Sequence, residues 1–175
     1  MSTSRIVLWV ISLAALFVLM LMNLWTVPFI RAEAQGLRIF DNRPIGYGFD
    51  EAKAFLSALQ PDGLALYLNL QRGLDTLFPI LFLIAMPWAL WLLTEAWQKP
   101  YRVMICLVGV VGPLCDLIEN HYVAGMLRAG PEGITPDMVA RASAFSVAKW
   151  GLDVCAVAAF VVLSWNVLLH RWRPA

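Results

Sequence analysis

Asp116, Glu119 and Asn120 stand inside "CLVGVVGPLCDLIENHYVAGML", Cys106 to Leu127, an apolar stretch long enough to cross a membrane. At ~100° per residue, a helix puts them on one face with Gly109, Gly112 and Val123, while His121 points well away. Lys149 and Asp153 repeat the pattern in the last apolar stretch, sharing a helical face with Ala142, Ser146 and Ala156. Gln71 and Asp75 form a third such pair, with Arg72 in reach of Asp75, and the first apolar stretch offers Asn23. If the third helix runs outward from Tyr101 and the fourth inward from Pro136, Glu119 and Asn120 come level with Lys149, and Asp116 with Asp153. The expectation is one buried polar layer in the outer half of the membrane. It would comprise Gln71, Asp75, Asp116, Glu119, Asn120, Lys149 and Asp153, with acids outnumbering the lysine.

That set of residues narrows the chemistry. Desolvation and mutual repulsion disfavour ionising every carboxyl at such depth, so at least one is expected to be protonated, or neutralised by a cation or by Arg72. Asp116 and Glu119 beside Lys149 are the candidates for general acid/base catalysis, and the same groups would equally carry protons or hold the polar head of an apolar ligand. A metal site is not expected, because His121 is off the carboxylate face and His170 belongs to the opposite end. Nucleophilic catalysis is disfavoured too, since Cys115 points about 100° away from Asp116 on a helix and no serine has a histidine in predictable reach. No phosphate-binding glycine loop is present, and no cofactor is implied.

The elements that must position these groups follow from composition. The chain has 175 residues, 61% hydrophobic and 14% charged, with a mean hydropathy of +0.71. These values exceed what a soluble domain tolerates and predict an integral membrane protein whose first partner is the bilayer. A net charge of +1 argues against nucleic acid. Cys106, Cys115 and Cys155 all fall in apolar segments without CxxC spacing, so they read as small packing residues.

Four stretches satisfy the requirement of roughly 20 apolar residues: Ile6 to Ile30, Leu74 to Trp97, Val103 to Leu127 and about Ala142 to Leu169. The first far exceeds the roughly 7 to 15 residues of a signal-peptide core and is read as a retained helix. Basic residues cluster near Arg5, at Lys99 and Arg102, and at Arg171 and Arg173, which predicts that both termini are cytoplasmic. Trp9, Trp97, Trp165 and Trp172 would mark the inner interface, and Trp25 and Trp150 the outer one.

The connection from Arg31 to Gly73 has its own pattern. Ala52, Phe55, Leu56 and Leu59 share a helical face behind Asp50, a candidate N-cap, predicting a short amphipathic outer helix. Asp62, in the turn Pro61 to Gly63, is placed to cap a helix running into the second span. This segment is expected either to pack on the bundle as a connector or to lie over an outward-facing pocket. Thr135, Pro136 and Asp137 read as an N-cap, a first-turn proline and a dipole-favoured acid. Pro79 and Pro113, flanking the polar layer, predict local bends.

The order "IFDNRPIGYGFDEAKAFLSAL", "LDTLFP" and "DLIEN", with a lysine in the last span, resembles a family of small four-span bacterial membrane proteins of unknown function. The resemblance covers most of the chain and implies a multi-pass protein of the bacterial inner membrane, with no residue assigned a role. The expectation is an all-α membrane protein: one domain, a four-helix transmembrane bundle with a short amphipathic outer helix between spans 1 and 2. Its polar pocket would bind a small amphipathic ligand or a partner helix, the latter from a membrane-protein partner or a second copy. The rivals are an intramembrane acid/base enzyme acting on a lipid-soluble substrate, and a component of proton-coupled transport.

Overall fold

A computed structural model describes residues 2–171 of the chain. Among them the regular structure is entirely helical. Four helices are long and apolar enough to cross a membrane, and they form an all-α bundle: span 1, Thr3–Glu33; span 2, Pro61–Leu93; span 3, Lys99–Gly133; span 4, Pro136–Leu169. Spans 2, 3 and 4 pack on one another, whereas span 1 packs on span 2 and does not run along span 4. A cleft therefore remains between spans 1 and 4, floored by span 2.

Spans 1 and 3 extend beyond their apolar stretches at both ends, and three further limits or caps differ from the sequence reading. Span 2 ends at Leu93 rather than Trp97, because the chain turns at Thr94, whose hydroxyl donates to the Leu90 carbonyl at 2.7 Å. Asp62 lies in the first turn of span 2 but does not cap it: the N-cap is Gln60, and Pro61 occupies the first helical position. The short outer helix, Phe49–Ala58, is capped at Gly48 rather than Asp50; the Glu51 carboxylate reaches back to accept the Gly48 N–H at 2.8 Å. The cap predicted for span 4 is found, with Thr135 Oγ1 accepting the Met138 N–H at 3.3 Å.

The connection between spans 1 and 2 packs on the end of the bundle, here termed the loop end; the other is the terminal end. Ile39, Phe40, Ala52, Phe55 and Leu56 are buried there with Tyr67, Met126 and Val139 in one apolar cluster. Phe40 packs against Phe55 with ring centres 4.9 Å apart. Arg43 lies over Phe40, Tyr47 and Phe55, with its guanidinium carbon 5.3–6.0 Å from the ring centres. It donates to the Arg38 carbonyl at 2.6 Å through one terminal nitrogen. Burial lowers the Arg43 pKa, although Glu51 opposes this. The Tyr47 pKa is raised, first by burial and then by Glu119 and Asp41.

Two features interrupt the regular helical hydrogen bonding beside the polar layer. Each of spans 1 and 2 contains a π-helical turn, Met22–Thr26 and Tyr67–Gln71, and the two are in contact. The Thr26 hydroxyl donates to Gln71 Oε1 across this junction. Pro28 follows the first π turn and cannot donate to the preceding helical turn, so a local widening relieves the ring clash. In span 2, Pro79 leaves the Asp75 carbonyl without its helical donor, and Asn120 of span 3 supplies one, its Nδ2 donating at 2.6 Å.

This substitution of a side-chain donor for a missing backbone one gives a testable coupling. Asn120→Leu should lower stability in detergent by about 1–2 kcal/mol, the upper range for a single interhelical bond. In a Pro79→Ala background, where residue 79 can donate to Asp75, the same change should cost measurably less. Thermal denaturation of the four proteins in this cycle reads the difference; equal costs in both backgrounds would contradict it.

Candidate functional site

The polar layer forms where spans 2, 3 and 4 meet the connection at the loop end. Lys149 of span 4 sits at its centre, 6% exposed. Its ammonium nitrogen is 2.7 Å from Glu119 Oε2 and 2.9 Å from Asp116 Oδ1, both on span 3, and 3.9 Å from Asp41 Oδ1 in the connection. Asp116 and Glu119, three residues apart on span 3, flank one cation, and Glu119 is fully buried. The approach of spans 3 and 4 depends on Gly112: a Cβ there would overlap the Asp153 carboxylate. Gly109 serves spans 2 and 3 similarly, since a Cβ would lie 3.0 Å from Met86 Cγ.

A second strand of hydrogen bonds joins span 1 to this layer. Thr26 donates to Gln71, whose Nε2 lies 2.9 Å from both Asp75 carboxylate oxygens, and the Asp75 carbonyl is held by Asn120. Thr26, Gln71 and Asp75 are all buried. All seven residues expected from sequence thus lie in one region, and Glu119 meets Lys149 as expected, while several of the others have different partners. Asn120 bonds to span 2 rather than lying against Lys149. Among the described residues Asp153 makes no ion pair; it packs against Gly112, one turn from Asp116. Arg72 makes no ion pair with Asp75, so of the three routes considered for neutralising the layer this one is not used. Asn23 bonds back to the Leu19 carbonyl at 2.9 Å and reaches the site only as part of the cleft wall.

Asp41 is the participant that spacing could not reveal. Its Oδ2 accepts from Tyr67 Oη at 2.6 Å, and its backbone carbonyl accepts from Trp150 Nε1 at 3.0 Å. Trp150, half-buried, thereby clamps the connection to span 4. Trp9, Trp25, Trp97 and Trp165 are exposed on the bundle surface, and Trp172 lies outside the described residues. His121 is exposed and stands edge-on to Tyr122, away from the layer. His170 has no described side chain.

The layer opens into the cleft between spans 1 and 4, which has a volume of about 1250 Å³. Its walls are apolar along much of its length, including Leu8, Ala15, Phe78, Phe82, Val157 and Ala158. At the loop end it is bounded by Asp41, Asn42, Asp75, Asp116, Lys149, Trp150 and Asp153. Leu8 to Asn23 alone accounts for about 22 Å of helix at 1.5 Å per residue. The connection thus supplies one end of the cleft through Ile39, Asp41 and Asn42, in the manner of the covering segment considered from sequence.

Among the described residues, no group of three His, Cys, Asp or Glu side chains is arranged to hold a metal ion. The arrangement can hold a polar head beside carboxylates and an ammonium while an apolar body lies along the cleft. Comparison with protein families, with curated proteins and with solved structures gives no match for this chain.

Lys149 is the group whose removal exposes how this layer is balanced. Lys149→Met leaves Asp116 and Glu119 buried without their cation, a change that costs about 3–5 kcal/mol for buried pairs of this kind. Adding Glu119→Gln should recover part of that loss, because the fully buried charge is removed with its partner. Melting temperatures of wild type, K149M and K149M/E119Q in one detergent check the order. A K149M protein as stable as wild type would refute a paired, charged layer.

Proposed function

We propose that this chain is a multi-pass membrane protein that binds a small amphipathic molecule, taken laterally from the bilayer into the cleft between spans 1 and 4. The observation that carries the reading is continuity: one cleft of about 1250 Å³ joins lipid-facing apolar walls to the Asp75, Asp116, Lys149 and Asp153 side chains. Ligand sites commonly enclose about 300–1,000 Å³ with apolar walls and few polar groups, and a single-chain amphiphile satisfies both ends of this one. Keeping several carboxyls at membrane depth costs about 2.5–3.5 kcal/mol each on the insertion scale, whereas an interhelical hydrogen bond returns about 0.6–2 kcal/mol. The excess supports a functional use of the layer beyond joining helices.

A second reading has its own support. Asp116 both touches Lys149 and lines the cleft, so a molecule in the cleft would meet a carboxyl already coupled to a buried ammonium and to Glu119. That is the placement required for acid/base chemistry on a lipid-soluble substrate, with Asp116 exchanging the proton and Lys149 setting its charge. It is also the placement required for proton-coupled transport.

We further propose a bacterial inner-membrane location with both termini cytoplasmic. Arg5, Lys99 and Arg102 stand at the terminal end, where the positive-inside bias would retain them. In a background lacking Cys106, Cys115 and Cys155, Ile45→Cys in the exposed part of the connection should react with an impermeant thiol reagent in spheroplasts, and Ser2→Cys should not. The reverse pattern would invert the topology.

Copurification tests the binding reading. Ala158 faces the cleft from span 4, and Ala158→Trp fills the space without removing a polar partner. Mass spectrometry of gently extracted protein should find a small molecule near one per chain in wild type and its loss in A158W, with the melting temperature retained. A stoichiometric protein partner instead of a small molecule would point to an assembly role for the cleft.

A further inference from the structure

The head group that the cleft would accept can be read from what its polar end already satisfies. Four carboxyl side chains, Asp41, Asp75, Asp116 and Asp153, line that end of the cleft against one ammonium, Lys149. Lys149 is committed: its nitrogen lies within 3 Å of both Glu119 and Asp116, with Asp41 behind them. An ammonium has three protons to donate, so little of Lys149 is left for an anionic guest. Arg5, the other cation of the cleft wall, lies near the opposite end, on the first turn of span 1.

The unmet hydrogen-bonding capacity has one sign. Among the described residues, Asp41 Oδ1, 3.9 Å from the Lys149 ammonium, and Asp153 Oδ1 are buried oxygens without a hydrogen-bond partner, and both residues line the cleft. Asp41 is more than nine-tenths buried and is fixed by Tyr67 through its other oxygen. Buried polar atoms left unpaired are uncommon and mark a place where a partner belongs. The two buried donor groups that lack partners, Tyr47 Oη and Arg102 Nε, belong to residues outside the cleft wall. A guest at the acid end therefore meets acceptors in need of donors, and carboxylates in excess of cations. A carboxylate or phosphate head would add an acceptor and a negative charge to a site already rich in both.

We propose that the cleft selects amphiphiles with a protonated amine head, the amine lying between Asp153 and Asp41 and the apolar chain running along spans 1 and 4 toward Leu8. This rests on the reading of the cleft as a ligand site. A primary ammonium carries three donors, one for each of the two carboxyl oxygens without a hydrogen bond and one for Asp116 or water. The apolar walls take the chain, and Asn42, beside Asp41, borders the same end.

The test uses the full chain in nanodiscs of neutral lipid, with three probes of equal chain length: hexadecylamine, hexadecanol and palmitate. Binding is followed by displacement of a fluorescent long-chain amine at neutral pH. The inference requires hexadecylamine to compete at least about tenfold better than hexadecanol, and palmitate worst, since one charge-assisted bond is worth roughly that factor. Asp153→Asn should weaken the amine by about tenfold and leave hexadecanol unchanged. Asp41→Asn, which retains an acceptor for Tyr67, gives a second variant if D153N proves unstable. Palmitate competing as well as the amine, or D153N weakening all three probes alike, would overturn the amine selectivity. Equal competition by all three, abolished by A158W, would overturn the selectivity while leaving the cleft as a ligand site. No competition by any probe, with labelled amine binding unaltered in A158W, would overturn both.

Discussion

A single ammonium buried among carboxylates determines how this bundle is put together. In water the pairing of Lys149 with Glu119 and Asp116 would contribute little, but at membrane depth neither partner can be left alone. Spans 3 and 4 must therefore stay in the register that keeps these groups within 3 Å, and Gly112 permits the approach. Lys149 also faces Asp41, so the connection between spans 1 and 2 is drawn into the same layer. Trp150, the next residue of span 4, holds the Asp41 carbonyl and fixes that connection from the side.

Span 1 answers to a weaker constraint. It joins the layer through Thr26 and Gln71 and otherwise packs on span 2, and among the described residues no charge pair draws it toward span 4. The cleft follows from this asymmetry: three helices are locked by ionic and close-packed contacts, and the remaining one leans on their flank. The π turns at Met22–Thr26 and Tyr67–Gln71 belong to the same account, because they occur where the two flanking helices must bend to share a polar contact. Such turns recur at functional sites in helical proteins.

Much of this was legible in the residues themselves. Apolar length gave the spans, and the 3.6-residue period put Asp116, Glu119 and Asn120 on one face and Lys149 and Asp153 on another. What periodicity lacks is rotation between helices, which is why Asn120 was matched to Lys149 when it serves the carbonyl that Pro79 leaves open. Asp41 escaped notice because a connection has no period to place its side chains. Its role depends on Tyr67 and Trp150, which lie 26 and 109 residues away in sequence. Pro28, which the sequence reading did not single out, lies just after the first π turn; the second has no comparable signal in the sequence. The helix limits slipped where local capping by Gly48, Gln60 and Thr94 outweighed hydropathy.

On the proposed function, the space between spans 1 and 4 is a chemical site rather than ordinary lipid-facing surface. A single-chain amphiphile carrying a photoreactive diazirine midway along its chain addresses it directly. After cross-linking in nanodiscs and peptide mapping, label should concentrate on the cleft-facing residues Ala15, Phe82 and Val157. Label spread evenly over these and the outward-facing Leu107 and Val147 would contradict the account.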